Sequence, residues 1–353
     1  VRGTAAGRRH LTRLLGAGKE FVEEQMDEQV FAGLVSQFEA ATDASGKPLD
    51  VHALMVKDGG KTFLHSFRSE ERPSDICILC KSVLILLGCS VSKQNPQFTE
   101  ETLVWPYLER ALGAAQFEAA AGSENLERWK RVKVKHLLTH TTGFDRVLLM
   151  RGDLVGRDLN RLVEFVVSTP LVHEPGEHYL YSNAGFYLLS VVLQEFLGEE
   201  LGEWAGKNFF MPLGVEQWRW EKYGDYLAGA TRLWLRPTDL MKIGELLLAR
   251  ARGEDGEAAG ADLLPAGWVN MMKTPTTFTP HVDVASNPHF RRHAYGSGLW
   301  VGAKDGIFFG HGTGGQSLAI IPRKDAVVIT LCEQGDVKRL EQLVEQTVQS
   351  LGA

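Results

Sequence analysis

Hydrophobic positions along the chain follow two regimes. Towards both ends they alternate or form short apolar runs, whereas between about residues 76 and 293 they recur mainly at helical spacing. From Glu20 to Ala41, residues Phe21, Met26, Val30, Leu34 and Phe38 form one stripe, which predicts an amphipathic helix. Val51 to Lys57 and Lys61 to Phe67, separated by Asp58-Gly59-Gly60, read as the two strands of a hairpin. The stretch from about Asp75 to Gly88 is apolar nearly all round, as a buried helix would be, with Ser74 or Asp75 as its cap. Helices are further predicted over residues 124–140, 158–167, 183–197 and 237–251, the last opening favourably on Pro237-Thr238-Asp239. Arg252 to Asp262, rich in Gly, Ala and acids, reads as a surface excursion. After about residue 294 the β pattern returns, over 296–301, 306–310, 317–322 and 326–332, and an amphipathic helix from Val337 to Leu351 closes the chain. The fold class expected is α+β. An antiparallel sheet flanked by terminal helices (about 19–75 and 294–353) is joined to a mainly helical lobe (about 76–293), with a cleft between them. Residues 1–18 are expected to be a disordered extension.

Composition narrows the partners. A 353-residue chain with 44% hydrophobic residues can bury a substantial core, and its net charge of −6 argues against an extended nucleic-acid footprint. The nearest basic run, Lys130 to Lys135, alternates with valines and reads as a solvated face. No run of eighteen apolar residues occurs, and Val1 to Gly18 lacks the hydrophobic segment of a secretory signal, so a cytoplasmic location is the default expectation. A transit peptide also fits that stretch, which holds four Arg and no acid. Four cysteines support no disulfide framework. Cys77 and Cys80 have zinc-ligand spacing, with His136 and His140 as the one tempting second pair, but their apolar setting favours buried thiols. No metal or cofactor is expected, and the expected partner is a small-molecule substrate rather than nucleic acid or membrane.

A set of short motifs carries the chemistry. His136-Leu137-Leu138-Thr139-His140-Thr141-Thr142-Gly143 is followed by Glu174-Pro175-Gly176 and Tyr181-Ser182-Asn183. Further on come Tyr295-Gly296-Ser297-Gly298-Leu299-Trp300 and Gly310-His311-Gly312-Thr313-Gly314-Gly315-Gln316. In this order and spacing, the chain resembles the class C β-lactamase, penicillin-binding-protein and esterase family over about residues 20 to 350. The resemblance implies a β-lactamase/transpeptidase-like fold. It also implies a site built from Lys81, Tyr181 and Asn183, with Gly315 offering an oxyanion-hole amide and Ile78, His311, Gly312, Thr313 and Gly314 lining the substrate. A phenol beside a lysine can act as general base and acid, and an amide side chain can orient the ammonium or a substrate amide. A glycine-rich strand end lets a carbonyl approach backbone N–H groups.

The family's Ser-x-x-Lys is where the pattern breaks. Lys81 fits the lysine, and the serine position then falls on Ile78, whose hydrocarbon side chain cannot attack a carbonyl. Left without its usual partner, a buried Lys81 is expected to pair with Tyr181 or Asn183. Ser90-Val91-Ser92-Lys93 is a formal Ser-x-x-Lys, but Gln94-Asn95-Pro96 would end its helix at once. Cys77 and Cys80 are thiols one or two positions off, which on a helix would point them elsewhere. Three functions follow: an enzyme acting on a small carbonyl compound without a serine acyl-enzyme, an ordinary serine esterase or amidase using Ser90, or an inactive relative that binds a ligand or partner.

Overall fold

The computed structural model describes residues 26–68, 72–253, 261–278, 288–290 and 292–352. The N-terminal extension, the first residues of the stripe from Glu20, and residues 254–260 of the surface excursion lie outside these. Helix α1 (Glu28–Ala40) begins where the Asp27 carboxylate accepts the Val30 N–H, satisfying one of the donors a helix start leaves open.

Eight strands form one antiparallel sheet: β1 (Val51–Asp58), β2 (Lys61–Ser66), β3 (Thr277–Phe278), β4 (Arg292–Tyr295), β5 (Trp300–Gly302), β6 (Phe308–His311), β7 (Ser317–Ile321) and β8 (Ala326–Cys332), in the order β2-β1-β8-β7-β6-β5-β4-β3. The strands from the two ends of the chain meet one strand in from an edge of the sheet, where β1 pairs with β8 (Leu54 opposite Thr330, Asp58 opposite Ala326). Both faces of the sheet are covered. Leu318, Ile320, Val327, Ile329 and Leu331 join the helical lobe's core. Ala319, Ile321, Ala326 and Val328 pack with α1 and the terminal helix α5 (Lys338–Gln349). Burial of both faces explains why β7 and β8 are apolar apart from Ser317 and Thr330, whose hydroxyls bond each other, rather than alternating. Sheet structure resumes at Thr277, earlier than residue 294, while Gly296 and Ser297, expected in a strand, belong to the turn between β4 and β5.

Helix α2 (Cys80–Gln94) is the central pillar, buried at every position from Cys80 to Val91. It differs from the expected helix at both ends. Ser74–Asp75 form a short strand against Leu233–Leu235, and a single 3₁₀ turn, Cys77–Leu79, precedes the helix. At the other end the helix continues to Gln94, and Asn95 before Pro96 stops it. By length and a mean hydropathy of 1.4, Cys77–Gln94 would suffice to cross a membrane, yet 72% of it is buried inside the fold. Helix α3 (Ala184–Leu197) packs against α2, and α4 (Pro237–Arg252) lies on β7 and β8 of the sheet, with Gly244 against Val327 and Leu318. The helix expected over 124–140 is divided into Ser123–Trp129 and Val134–Leu138. Between them the chain turns aside to bond residues 102–104, with Val134 N–H donating to Thr102 O and Val104 N–H to Val132 O.

Candidate active site

The 3₁₀ turn ahead of α2 sits directly on strand β6. A Cβ at Gly310 would lie 2.4 Å from Leu79 Cδ2, so any larger residue there would force the Leu79 side chain to move. Cys77 opens the turn with φ of +52°, a conformation uncommon outside glycine, and its N–H donates to Asp75 Oδ1 at 2.8 Å. Burial pushes the Asp75 carboxyl above its usual range. With its backbone held this way, Cys77 directs Sγ to within 3.9 Å of Thr313 Oγ1. The expectation that Cys77 would point away assumed a regular helix at this position, and the left-handed residue in a tighter turn overturns it. Cys80, the first residue of α2, is buried, which raises its thiol well above the ordinary value. Ile78 is half-buried in the same turn, and its N–H makes no hydrogen bond among the described residues.

Lys81 is the second residue of the pillar and is 1% exposed. Its ammonium donates to Asn183 Oδ1 at 2.8 Å and reaches Ala230 O at 3.5 Å, with no carboxylate partner among the described residues. Asn183 Nδ2 donates to Leu149 O, so the amide's orientation is set from both ends. The pairing expected with Tyr181 takes a different form: Lys81 Nζ stands 5.0 Å from the centroid of the phenol ring, over its face. Tyr181 Oη is buried and has no hydrogen-bond partner among the described residues. The ring is stacked on Trp300 (centroids 5.8 Å apart, planes 13° apart) and touches His140 at 4.4 Å.

His140, weighed from the sequence only as half of a possible zinc-ligand pair, was not expected at this site, although it lies in the Leu-Leu-Thr-His segment. It holds φ of +57° and is buried, and its Nδ1 accepts the Ser182 N–H, which leaves the proton on Nε2 to donate to Tyr295 Oη at 3.1 Å. Burial, reinforced by Lys81, drives its pKa well down, so it is a neutral hydrogen-bonding wall. Burial likewise pushes the Tyr295 phenol up.

Two of the expected site residues lie elsewhere. The Gly315 N–H is already donated to Gly312 O, and a Cβ at Gly315 would lie 2.2 Å from Leu340 Cδ2 of α5. Gly315 therefore faces the terminal helix and offers no amide to the cleft. His311 follows the pleat of β6 to the same side as Phe309, where its Nε2 lies 3.0 Å from Glu341 Oε1 of α5. Gly312 and Gly314 close a tight turn around Gln316, whose side-chain oxygen accepts the Gly314 N–H. Thr313, at the tip of this turn, is exposed, faces Cys77, and has an N–H without a hydrogen-bond partner among the described residues. Ser90 is nine residues beyond Lys81 on α2, about 13 Å along the axis. It is buried, and its hydroxyl has no partner among the described residues.

This arrangement meets an independent comparison: the family model described as Beta-lactamase matches residues 105–343, more than half of the chain. The chain belongs to the Beta-lactamase family. The matched span opens after α2, so the turn holding Ile78 lies outside it. Penicillin-binding protein 4* of Bacillus subtilis (strain 168) is 25% identical over 140 residues, which are 36% of this chain and 31% of that protein. The curated relatives are matched over no more than about a third of their own length. Among solved structures, a penicillin-binding protein from Bacillus halodurans superposes with a TM-score of 0.63 at 17% identity, over 90% of this chain and 99% of that one. EstCE1, described as a hydrolase with promiscuous acyltransferase activity, superposes with a TM-score of 0.66 at 16% identity, over 91% and 98%. These structural likenesses show the β-lactamase fold, an α+β architecture.

Proposed function

We propose that this Beta-lactamase family member acts on the carbonyl group of a small ester, amide or related molecule without forming a serine acyl-enzyme. The observation that carries the reading is the buried Lys81–Asn183–Tyr181 centre beside a turn whose side chains include no hydroxyl nucleophile. A buried hydroxyl without a partner costs about 1–3 kcal/mol. Tyr181 Oη carries that cost in the free protein, and a substrate oxygen or nitrogen would relieve it. In this reading Tyr181 exchanges a proton with the substrate, and Asn183 and Lys81 fix the polar end of the pocket. The open amides of Ile78 and Thr313, in place of Gly315, hold the carbonyl oxygen. The match to the Beta-lactamase family model and the fold likeness to EstCE1, described as a hydrolase with promiscuous acyltransferase activity, support a carbonyl substrate. A nucleophilic Ser90 fits poorly, since its hydroxyl sits in the core far down α2.

Mass spectrometry of the intact protein after treatment with a fluorophosphonate tests the absence of a serine nucleophile. No stoichiometric serine adduct is expected. An adduct on Ser90, or on any other serine, would contradict the proposal.

A further inference from the structure

Tyr181 makes no hydrogen bond of its own among the described residues, through either its backbone or its hydroxyl. The chain on either side of it must therefore hold the ring, and both neighbours are tied to one residue. Leu180 N–H donates to His140 O at 2.9 Å, and Ser182 N–H donates to His140 Nδ1 at 3.4 Å. Between these two bonds the imidazole lies against the phenol ring, with centroids 4.4 Å apart. His140 holds this position with φ of +57°, a backbone conformation uncommon outside glycine. Such outliers persist where the surroundings over-determine them, and they gather at functional sites. The rest of the imidazole is committed too. Nε2 donates to Tyr295 Oη at 3.1 Å, so Nδ1 offers its lone pair to the Ser182 N–H. The titratable groups around the ring are Lys81, Tyr179, Tyr181 and Tyr295, with no carboxylate among the described residues to favour a protonated imidazole.

We infer that His140 is the positioning residue of Tyr181, setting where the phenol oxygen stands without touching the substrate. The inference rests on the acid–base reading of Tyr181 above. A phenol steered by a bond at its own oxygen would have that oxygen occupied. Fastening the residues on both sides of Tyr181 instead places Oη while leaving it open to an incoming group. Displacement of a reacting group by about 1 Å can cost about 10²-fold in rate.

The test compares two amides at position 140 in the whole chain, with 4-nitrophenyl acetate as substrate. Asn puts a carbonyl oxygen where Nδ1 stands and tolerates the left-handed backbone, whereas Gln carries its polar atoms out to the position of Nε2. His140→Gln should lower kcat by about 10–100-fold with KM unchanged, and His140→Asn should regain most of that loss. Added to Tyr181→Phe, His140→Gln should cost nothing further, because the two residues act as one unit. When Tyr181→Phe itself loses rate, three results overturn the positioning role and leave the acid–base reading standing: equal losses in Gln and Asn, no loss in Gln, or a Gln loss that persists in full beside Tyr181→Phe. Tyr181→Phe at full rate would overturn that reading and the positioning role with it. Should His140→Gln not fold, the imidazole nitrogens of the wild-type protein decide by NMR. A bare Nδ1 with the proton on Nε2 is expected, and a proton on Nδ1 at neutral pH overturns the inference.

Discussion

Two buried polar centres in this molecule solve the same physical problem differently. Against α5, His289 is almost fully buried between two carboxylates, with Nδ1 2.5 Å from Glu345 Oε1 and Nε2 2.8 Å from Asp305 Oδ2, while its N–H donates to Glu345 Oε2. Every strong group there has its partner inside the protein. On the other side of the sheet, among the described residues, Lys81 has two neutral acceptors and no carboxylate, and the Tyr181 hydroxyl has no hydrogen-bond partner. A centre completed from within serves the fold, whereas one left short of partners is poised for a group that arrives from outside.

The largest separation of the two should come from deleting their central cations. Lys81→Met should lower ester turnover by roughly 10²–10⁴-fold. Its stability should be unchanged or slightly higher, because replacing a buried charge by an apolar side chain of similar size is often neutral or favourable. His289→Ala should do the reverse. It strands a buried carboxylate and should cost about 3–5 kcal/mol in urea unfolding, with turnover per folded molecule unchanged. Equal losses of both quantities in both variants would erase the distinction.

The titration of two histidines sharpens the same contrast. Burial alone would lower the pKa of His289, but the bonds to Glu345 and Asp305 outweigh it and hold the value above the ordinary one. Its stabilisation is therefore complete below about pH 6.5 and lost as pH rises through the folded value. His140 is shifted the other way, so its contribution is complete above about pH 6.5 and lost on acidification. Urea midpoints measured across this range should show His289→Gln flattening the alkaline limb while the acid limb persists. An unchanged alkaline limb would contradict the assignment.

Much of the framework was legible in the residues. The hairpin, the four β runs, the terminal helix and the ordered motifs from His136 to Gln316 all follow from local pattern. The parts that were not legible depend on direction. A left-handed Cys77 cannot be read from a sequence in which only glycine advertises that conformation. Gly315 and Thr313 are two residues apart in one glycine-rich segment, and only the packed turn determines which faces the cleft and which faces Leu340. The His289 centre was invisible because its carboxylates lie 16 and 56 residues away.

A smaller effect checks the corrected glycine. Gly315→Ala, at φ of +84° and facing Leu340, should lower stability by about 1–3 kcal/mol while leaving turnover per folded molecule intact. A selective loss of turnover would return Gly315 to the site.

The most direct test of the unfinished centre is the turnover of small esters by Tyr181→Phe, which removes one unbonded oxygen and nothing else. The account predicts a loss of roughly 10²–10⁴-fold with thermal stability equal to or above that of the wild type. An unchanged rate, or a loss of rate that merely tracks a loss of stability, would contradict it.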